Sequence, residues 1–596
     1  MGLGSEMCIL DQALLFPELG WYGVRSTSSA MAMAASSLVV PLSFVFLTIA
    51  AAATPASDTG HFLGISYGTL GDDLPPPHRA LELARSAGAA AVRFYDSNAT
   101  LLAAAASFSL GVVPGVPNEL LISLAASQRA ADAWIVSTLL PFRRNRRFRY
   151  LFVGNEVLSD PTTKDRWSRL VPAMANLRRA LRRYGMRRVK VSTTLGMDAL
   201  VGQNVFPPSA GVFRPDIVDV AVRPLLAFLH RTDSYLFVDA YTYFTWSANH
   251  TIVPLTYALL EPSPAPGYQY HDPATGLSYT NLLDHMLDTV VAAMCRAGHC
   301  GVRLALAETG WPNAGDLDQF GANVRNAATY NRNVARHLAS GAGTPRRPGM
   351  RMPAFVFALF NEDLKGGPGT ERHWGLFYPN GSAVYEVDLT GRRPAASYPP
   401  LPPATNDLPS PGKLWCVVRT DRRGAVANET AVREQVAAAC ADEATLCDPV
   451  RLGGECHLPN TVAAHASYVF SAHWNKFSKQ YGGWCYFRGL AVETTADPSV
   501  AALGLGTYGA HMFRPENPRY KEIWQTASLY HLVHTAALLG APITKRPNIF
   551  GGLLTTGIVL FSGTCYTVAY LEDRKFSSPA PIGGFAFIAA WASLLF

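Results

Sequence analysis

The chain has 596 residues, 49% hydrophobic and 16% charged, with 51 lysines and arginines against 44 acidic residues for a formal net charge of +7. That length and apolar share argue against one compact domain and for several parts around a large core. The positive balance lies in scattered arginines and in clusters such as Arg143-Arg144-Asn145-Arg146-Arg147 and Arg182-Arg183; with no stacking or groove-reading motif beside them they read as solvated surface, and nucleic acid is not an expected partner.

Residues 1–56 read as an extension and leader. From Met31 or Met33 an apolar run over 38–49 leads to small residues near Ala53 and Ala56, the pattern of a signal peptide with its cleavage site. The thirty residues before it carry Glu6, Asp11 and Glu18 and would make an unusually long, acidic leader, so translation is expected to begin at Met31 or Met33. An uncleaved signal anchor is the competing reading. Asn-x-Ser/Thr triplets at Asn98, Asn249, Asn380 and Asn428 are glycosylation candidates that suit the secretory route.

Residues 57–390 alternate β-rich runs with helical or loop-rich segments. Eight runs, 62–67, 90–95, 110–116, 149–154, 189–195, 236–241, 302–307 and 354–360, predict a (β/α)₈ TIM barrel, an α/β fold whose reactive groups gather at the carboxyl ends of the strands. Glu156, in Val153-Gly154-Asn155-Glu156-Val157, then follows strand four, and Glu308, in Ala307-Glu308-Thr309-Gly310-Trp311-Pro312, follows strand seven. Two carboxyls brought from separate strand ends are what acid/base cleavage of a glycosidic bond requires. Tyr67, Tyr95, Tyr241, Phe244, Trp311 and Phe360 fall at or near strand ends, where flat rings cover the apolar faces of a sugar. Core packing is the simpler role for any one of them. Cys295 and Cys300 admit two readings, a small closed loop or two free thiols.

Proline then crowds residues 391–413, which predicts a stiff, extended spacer. Over 414–499 come Cys416, Cys440, Cys447, Cys456 and Cys485, five of the nine cysteines, without zinc-type pairs, as in a disulfide framework of an oxidising compartment. Residues 500–596 carry long apolar runs at 526–543, 550–571 and 581–596, candidate transmembrane helices, the first with His531 and His534.

The segment 64–389 resembles the plant β-1,3-glucanases of glycoside hydrolase family 17. The resemblance rests on Gly64-Ile65-Ser66-Tyr67-Gly68, Val92-Arg93-Phe94-Tyr95-Asp96, Val153-Gly154-Asn155-Glu156, Phe206-Pro207-Pro208-Ser209-Ala210-Gly211, Glu308-Thr309-Gly310-Trp311-Pro312 and Phe357-Ala358-Leu359-Phe360-Asn361-Glu362 leading to Thr370-Glu371-Arg372. It implies a retaining endo-hydrolase of (1→3)-β-D-glucan, with Glu156 as general acid/base and Glu308 as nucleophile, and carboxyls about 5–5.5 Å apart. It also implies supporting positions at Asn155, Glu362, Lys365 and Glu371, the last three of which otherwise form a salt-linked loop after strand eight, and cleft positions at Tyr67, Tyr95, Tyr241 and Trp311. Where the family reads Asn-x-Tyr-Pro-Tyr-Phe, this chain has Asp239-Ala240-Tyr241-Thr242-Tyr243-Phe244. An ionised Asp239 close to Glu308 would raise the nucleophile's pKa by like-charge repulsion.

Residues 414–499 resemble the X8 module, or carbohydrate-binding module family 43, a small disulfide-rich α+β unit, through Trp415-Cys416-Val417, Gly453-Gly454-Glu455-Cys456, 464–470 and Asp497-Pro498-Ser499. The family pairs its cysteines first with fifth, second with third and fourth with sixth; the sixth is absent here, which leaves Cys456 without its expected partner and the module incomplete. Tyr468, Phe470 and Trp474 are either ring contacts for glucan or core. Through 503–511, 524–531 and 583–591, residues 501–596 resemble a separate, uncharacterised family of small multi-spanning membrane proteins, and the junction, falling where the sixth cysteine should stand, reads as the seam of a fused gene model or, as the second choice, of a recent gene fusion. The expected whole is an extracellular wall glucanase with a glucan-binding module, membrane-tethered if the tail is native, its basic surface suited to acidic wall pectins. No metal or organic cofactor is expected, since the chemistry needs carboxyls and water. Two other readings are a non-hydrolytic glucan-binding wall protein, and an integral membrane protein whose function lies in the tail.

Overall fold

The computed structural model describes residues 62–594, except 144–146, 204, 263–267, 422–424, 455, 458–459, 478–483, 496–512, 516, 540 and 542–543. The leader, the alternative starts, Asp497-Pro498-Ser499 and most of the module–tail junction therefore lie outside the described residues.

The described residues from 62 to 414 form one compact unit. Its eight strands are those the sequence predicts: Phe62–Tyr67, Ala91–Phe94, Gly111–Val113 continued by Gly115–Val116, Tyr150–Val153, Lys190–Ser192 continued by Thr194–Gly196, Tyr235–Asp239, Arg303–Thr309 and Pro353–Val356. All pair in parallel. Strand one lies between strands two and eight, strand seven between eight and six, and the second half of strand five pairs with strand six. The second half of strand three pairs with strand four, and strand four with the first half of strand five, which closes the ring. Strand seven runs two residues further than predicted, so Glu308 sits within it, opposite Asp239 of strand six, beside a break in register between Leu306 and Glu308.

The interior is dense with β-branched and aromatic side chains, as a strand set covered on both faces requires. Ile65, Val92, Val113, Phe152, Phe237, Leu306 and Phe355 are all buried. The outer helices show the matching stripe: in Leu170–Arg183, Leu170, Ala173, Met174, Leu177, Ala180 and Leu181 face the strands, while Arg182 and Arg183 close the last turn. Cys295 and Cys300 are joined by a disulfide, which decides between the two readings of that pair.

The proline-rich stretch corrects the spacer expectation over much of its length. Arg325 Nε donates to the Pro402 carbonyl at 2.9 Å, the Gly321 N–H to the Asn406 carbonyl at 2.6 Å, and Asn326 Nδ2 to Asp407 Oδ1 at 2.7 Å. Arg332 and Arg393 cover the Tyr398 ring, 3.9 and 4.3 Å from its centre. Proline lowers the entropy lost when such a strap is laid down, so stiffness here serves docking as well as reach.

The second unit is built from short pieces. Strands Trp415–Val418 and Ala491–Thr494 pair antiparallel beside helices Glu429–Asp442 and Val462–Phe477, and disulfides join Cys416 to Cys485 and Cys440 to Cys447. Cys456 is buried and disulfide-bonded as well. Phe470 and Trp474 are buried, Phe470 stacked on Phe487 at 3.9 Å, and Tyr468 packs on the same small core. Trp484, 38% exposed, is an outward ring of this unit to which the sequence gives no signal.

In the tail, helices Pro518–Leu539, Pro547–Gly557 continuing to Leu571, and Ala580–Ala592 pack through small residues, Gly557 against Phe587 and Gly583 against the Phe561 backbone. Val559, Ile582, Phe585 and Ile588 point outward. Of the three predicted spans, Pro547–Leu571, with mean hydropathy 1.5 over its apolar window, is the one long and apolar enough to cross a membrane among the described residues.

Candidate active site

The carboxyl ends of the strands open into a cavity of about 590 Å³ lined by Glu156, Asp198, Asp239, Tyr241, Phe244, Glu308, Phe357, Glu371 and Trp374, among others. Glu156 and Glu308, far apart along the chain, face this one space.

Glu308 is held by three donors. Arg93 Nη1 donates to its Oε1 at 2.7 Å, the Tyr95 hydroxyl to the same oxygen at 2.6 Å, and the Tyr241 hydroxyl to Oε2 at 2.5 Å. Arg93 is buried on strand two, and its second amino group donates to Asn155 Oδ1. Burial pushes the Tyr95 and Tyr241 hydroxyls well above the usual tyrosine range, so both remain donors. Three bonds to its two oxygens, one of them from a guanidinium, fix where this carboxyl points.

Glu156 has the opposite surroundings. Burial, followed by the charges of Glu308 and Asp198, pushes its carboxyl up to about 8. Its backbone is left-handed, with φ of +44°, a conformation that costs a non-glycine residue free energy and persists where neighbours fix it. They do: Asn118 Oδ1 accepts from the Asn155 N–H at 2.8 Å, Asn118 Nδ2 donates to the Asn155 carbonyl at 2.9 Å, and the Glu156 N–H donates to Thr194 Oγ1 at 3.0 Å. Gly196, at the end of strand five, leaves room for the side chain, since a Cβ there would stand 2.7 Å from Glu156 Oε1 and 2.6 Å from Asp198 Oδ1.

Glu362 is buried, accepts from the Leu70 N–H at 2.9 Å, and pairs with Lys365 at 3.3 Å. Lys365 lies 4.1 Å from the centre of the Phe357 ring. Glu371 reaches the cavity itself, and its carboxyl is raised by burial against the pull of Lys365.

Of the six aromatics expected at the cleft, Tyr241 and Phe244 line it, and Tyr95 reaches it through Glu308. Trp311, Tyr67 and Phe360 are corrected: Trp311 is fully buried, with its indole N–H donated to the Gly321 carbonyl at 2.8 Å, and Tyr67 meets Phe94 and Phe360 edge-on inside the core. Phe206, Phe357 and Trp374 are further rings of the wall, the last with its buried indole nitrogen unpartnered. Arg93 is a further site residue, and an arginine in the middle of the otherwise apolar strand Ala91–Phe94 is the sequence signal that finds it. Asn249 lines the cavity too, while Asn98 and Asn428 cap helices and Asn380 lies in an exposed turn.

Asp239 does not meet the condition attached to it. It is 3% exposed, its two oxygens carry no hydrogen bond, and Arg93 Nη1 stands 3.8 Å away. Burial, and then the charges of Glu308 and Glu156, push its carboxyl well above the usual range, so the neutral form is the one the site favours.

The family model for glycosyl hydrolases family 17 matches residues 63–389, that for the X8 domain 414–492, and that for a protein family of unknown function (DUF423) 505–584. A probable glucan endo-1,3-beta-glucosidase A6 of Arabidopsis thaliana is 42% identical over 74% of this chain and 90% of its own length. A glucan endo-1,3-beta-D-glucosidase of Olea europaea is 32% identical over 75% of this chain and 94% of its own. Among solved structures, the β-1,3-glucanase and allergen CJP38 of Cryptomeria japonica pollen superposes with a TM-score of 0.51 at 37% identity, covering 55% of this chain and 99% of that one.

Proposed function

The chain belongs to family 17 of the glycosyl hydrolases, and from that premise we propose that it cleaves (1→3)-β-D-glucan internally with retention at the anomeric carbon. Glu156 gives its proton to the glycosidic oxygen as the bond from that oxygen to C1 breaks, and a Glu308 oxygen attacks C1 to form a glycosyl-enzyme. Esterification removes the Glu308 charge, one of the causes that raises Glu156, so Glu156 becomes a better base for the water that releases the sugar. Tyr241, Phe244, Phe357 and Trp374 supply ring surface along the cleft.

The observation that carries this reading is the contrast between a carboxylate held by three donors and a carboxyl kept protonated in the same cavity. The test is release of reducing ends from a linear β-1,3-glucan, with the anomeric form of the first product recorded. Glu308→Gln abolishes turnover and spares binding; persistent hydrolysis overturns the assignment, and an inverted product overturns retention. The neutral state favoured for Asp239 speaks against the non-hydrolytic reading.

The X8 unit, a polysaccharide-binding module, holds the enzyme on glucan and raises the local substrate concentration. Its disulfides suit an extracellular location. In the chain as written, Pro547–Leu571 tethers the enzyme to the outer face of a membrane. A peptide spanning 493–519 in mass spectra of the native protein establishes the junction; transcripts that separate the two halves reject it.

A further inference from the structure

At the other end of the barrel, where helices end and strands begin, a hollow of about 200 Å³ is lined by Arg178, Arg182, Arg187, Lys190 and Thr232, with Leu181, Val189 and Val191 as its floor. The catalytic cavity lies at the opposite, carboxyl ends of the strands. Nearby cations are already occupied: Arg179 donates to Gln128, Arg183 pairs with Asp132, and Arg303 pairs with Asp233. Lys190 also pairs with Asp233, at 3.2 Å. Among the described residues Arg178, Arg182 and Arg187 take part in no salt bridge, and neither does Arg231, whose charge together with that of Arg182 acts on the partly buried Arg178 guanidinium. One cation at a helix end complements the carbonyl dipole, and Arg182 does that for Leu170–Arg183. Three unpaired guanidiniums facing one recess exceed that need, and their mutual repulsion is relieved when an anion enters.

We propose that this hollow binds the carboxylate of a uronic-acid unit in an acidic polysaccharide. The planar fork of arginine matches a carboxylate in two parallel bonds, and the apolar floor suits the face of a sugar ring. Exposed Arg188 and Arg231 carry the positive surface beyond the hollow, which suits a polymer with repeated charges better than a single small ion. The site is separate from the glucan-cleaving cleft, so one molecule can hold an acidic chain at one end of the barrel while it cuts a neutral chain at the other.

The test uses the full-length protein in nonionic detergent, with immobilised polygalacturonate and an immobilised neutral β-1,3-glucan as matrices. Retention on polygalacturonate is expected to fall as salt rises, and to fall at least about tenfold in R178Q/R182Q/R187Q, while hydrolysis of soluble β-1,3-glucan stays at the wild-type level and reports an intact fold. A control with the same charge loss elsewhere on the barrel, R129Q/R143Q/R169Q, is expected to stay within about twofold of wild type. Equal retention of the two triple variants overturns the proposal, because net charge then explains binding. So does displacement by inorganic phosphate at far lower ionic strength than by chloride, which marks the hollow as a phosphate site.

Discussion

The two banks of the cleft carry the same functional group and treat it in opposite ways. On the strand-seven bank, Glu308 accepts from an arginine and from two tyrosine hydroxyls. On the strand-four bank, Glu156 is set among other acids, Glu308 and Asp198, and burial favours its proton. Side-chain identity therefore does not assign the roles of nucleophile and acid; donors on one side and acids on the other do.

The comparison breaks most completely at Arg93. Arg93→Met removes the charged donor from Glu308 and leaves the buried Glu308 and Asp239 facing each other without it. A loss in kcat of about a thousandfold is expected from removal of an electrostatic anchor in a closed site, together with a stability loss of about 3–5 kcal/mol from breaking a buried ion pair. Steady-state kinetics beside thermal unfolding separate the two effects. A variant that keeps wild-type kcat shows that the tyrosines alone hold the nucleophile.

Gly196 tests the other bank. In Gly196→Ala the new methyl stands where Glu156 Oε1 needs room, on backbone that alanine adopts freely. Displacing the acid by a fraction of an ångström is expected to lower kcat by about 10- to 100-fold with little change in stability. Full activity in this variant means the Glu156 carboxyl works from another position.

The pH dependence follows from the same contrast. With Glu156 raised to about 8, the acid form is lost above that pH, so the alkaline limb of kcat against pH is expected to turn down near 8. The sign for stability is fixed too. Between the ordinary value of 4.5 and about 8 the folded protein holds this proton and the unfolded chain does not, so this contribution is complete below 4.5 and declines as pH rises toward 8. Melting temperatures that rise steadily from pH 5 to 8 contradict it.

Most of the barrel was legible because its strands are short apolar runs at regular spacing, each ending near a polar motif. The two glutamates were legible for the same reason: each lies where such a run stops. What escaped were properties that depend on neighbours distant in sequence. Trp311 stands beside Glu308 in the chain, yet its ring turns inward onto Tyr243 and Tyr330, while Trp374, 63 positions beyond, supplies the cleft wall. The proline-rich stretch reads as a spacer until Asn406 and Asp407 meet the polar groups of 321–326. Linear periodicity carries no record of either contact.

Asp239 lies between the banks and gives the smallest expected effect. A protonated carboxyl and an amide have nearly the same shape, and each offers one donor group and one acceptor, so the neutral acid is a close stand-in for asparagine at this position. Asp239→Asn is therefore expected to keep kcat within about threefold of wild type at mildly acidic pH. The variant cannot ionise, so its melting temperature is expected to decline less between pH 5 and 8 than that of the wild type, because a carboxyl raised by burial loses its stabilising proton as pH rises. A large loss of activity sinks this account, since it requires a charge or proton at Asp239 that the amide lacks, and with it a third acid in the chemistry of the cleft.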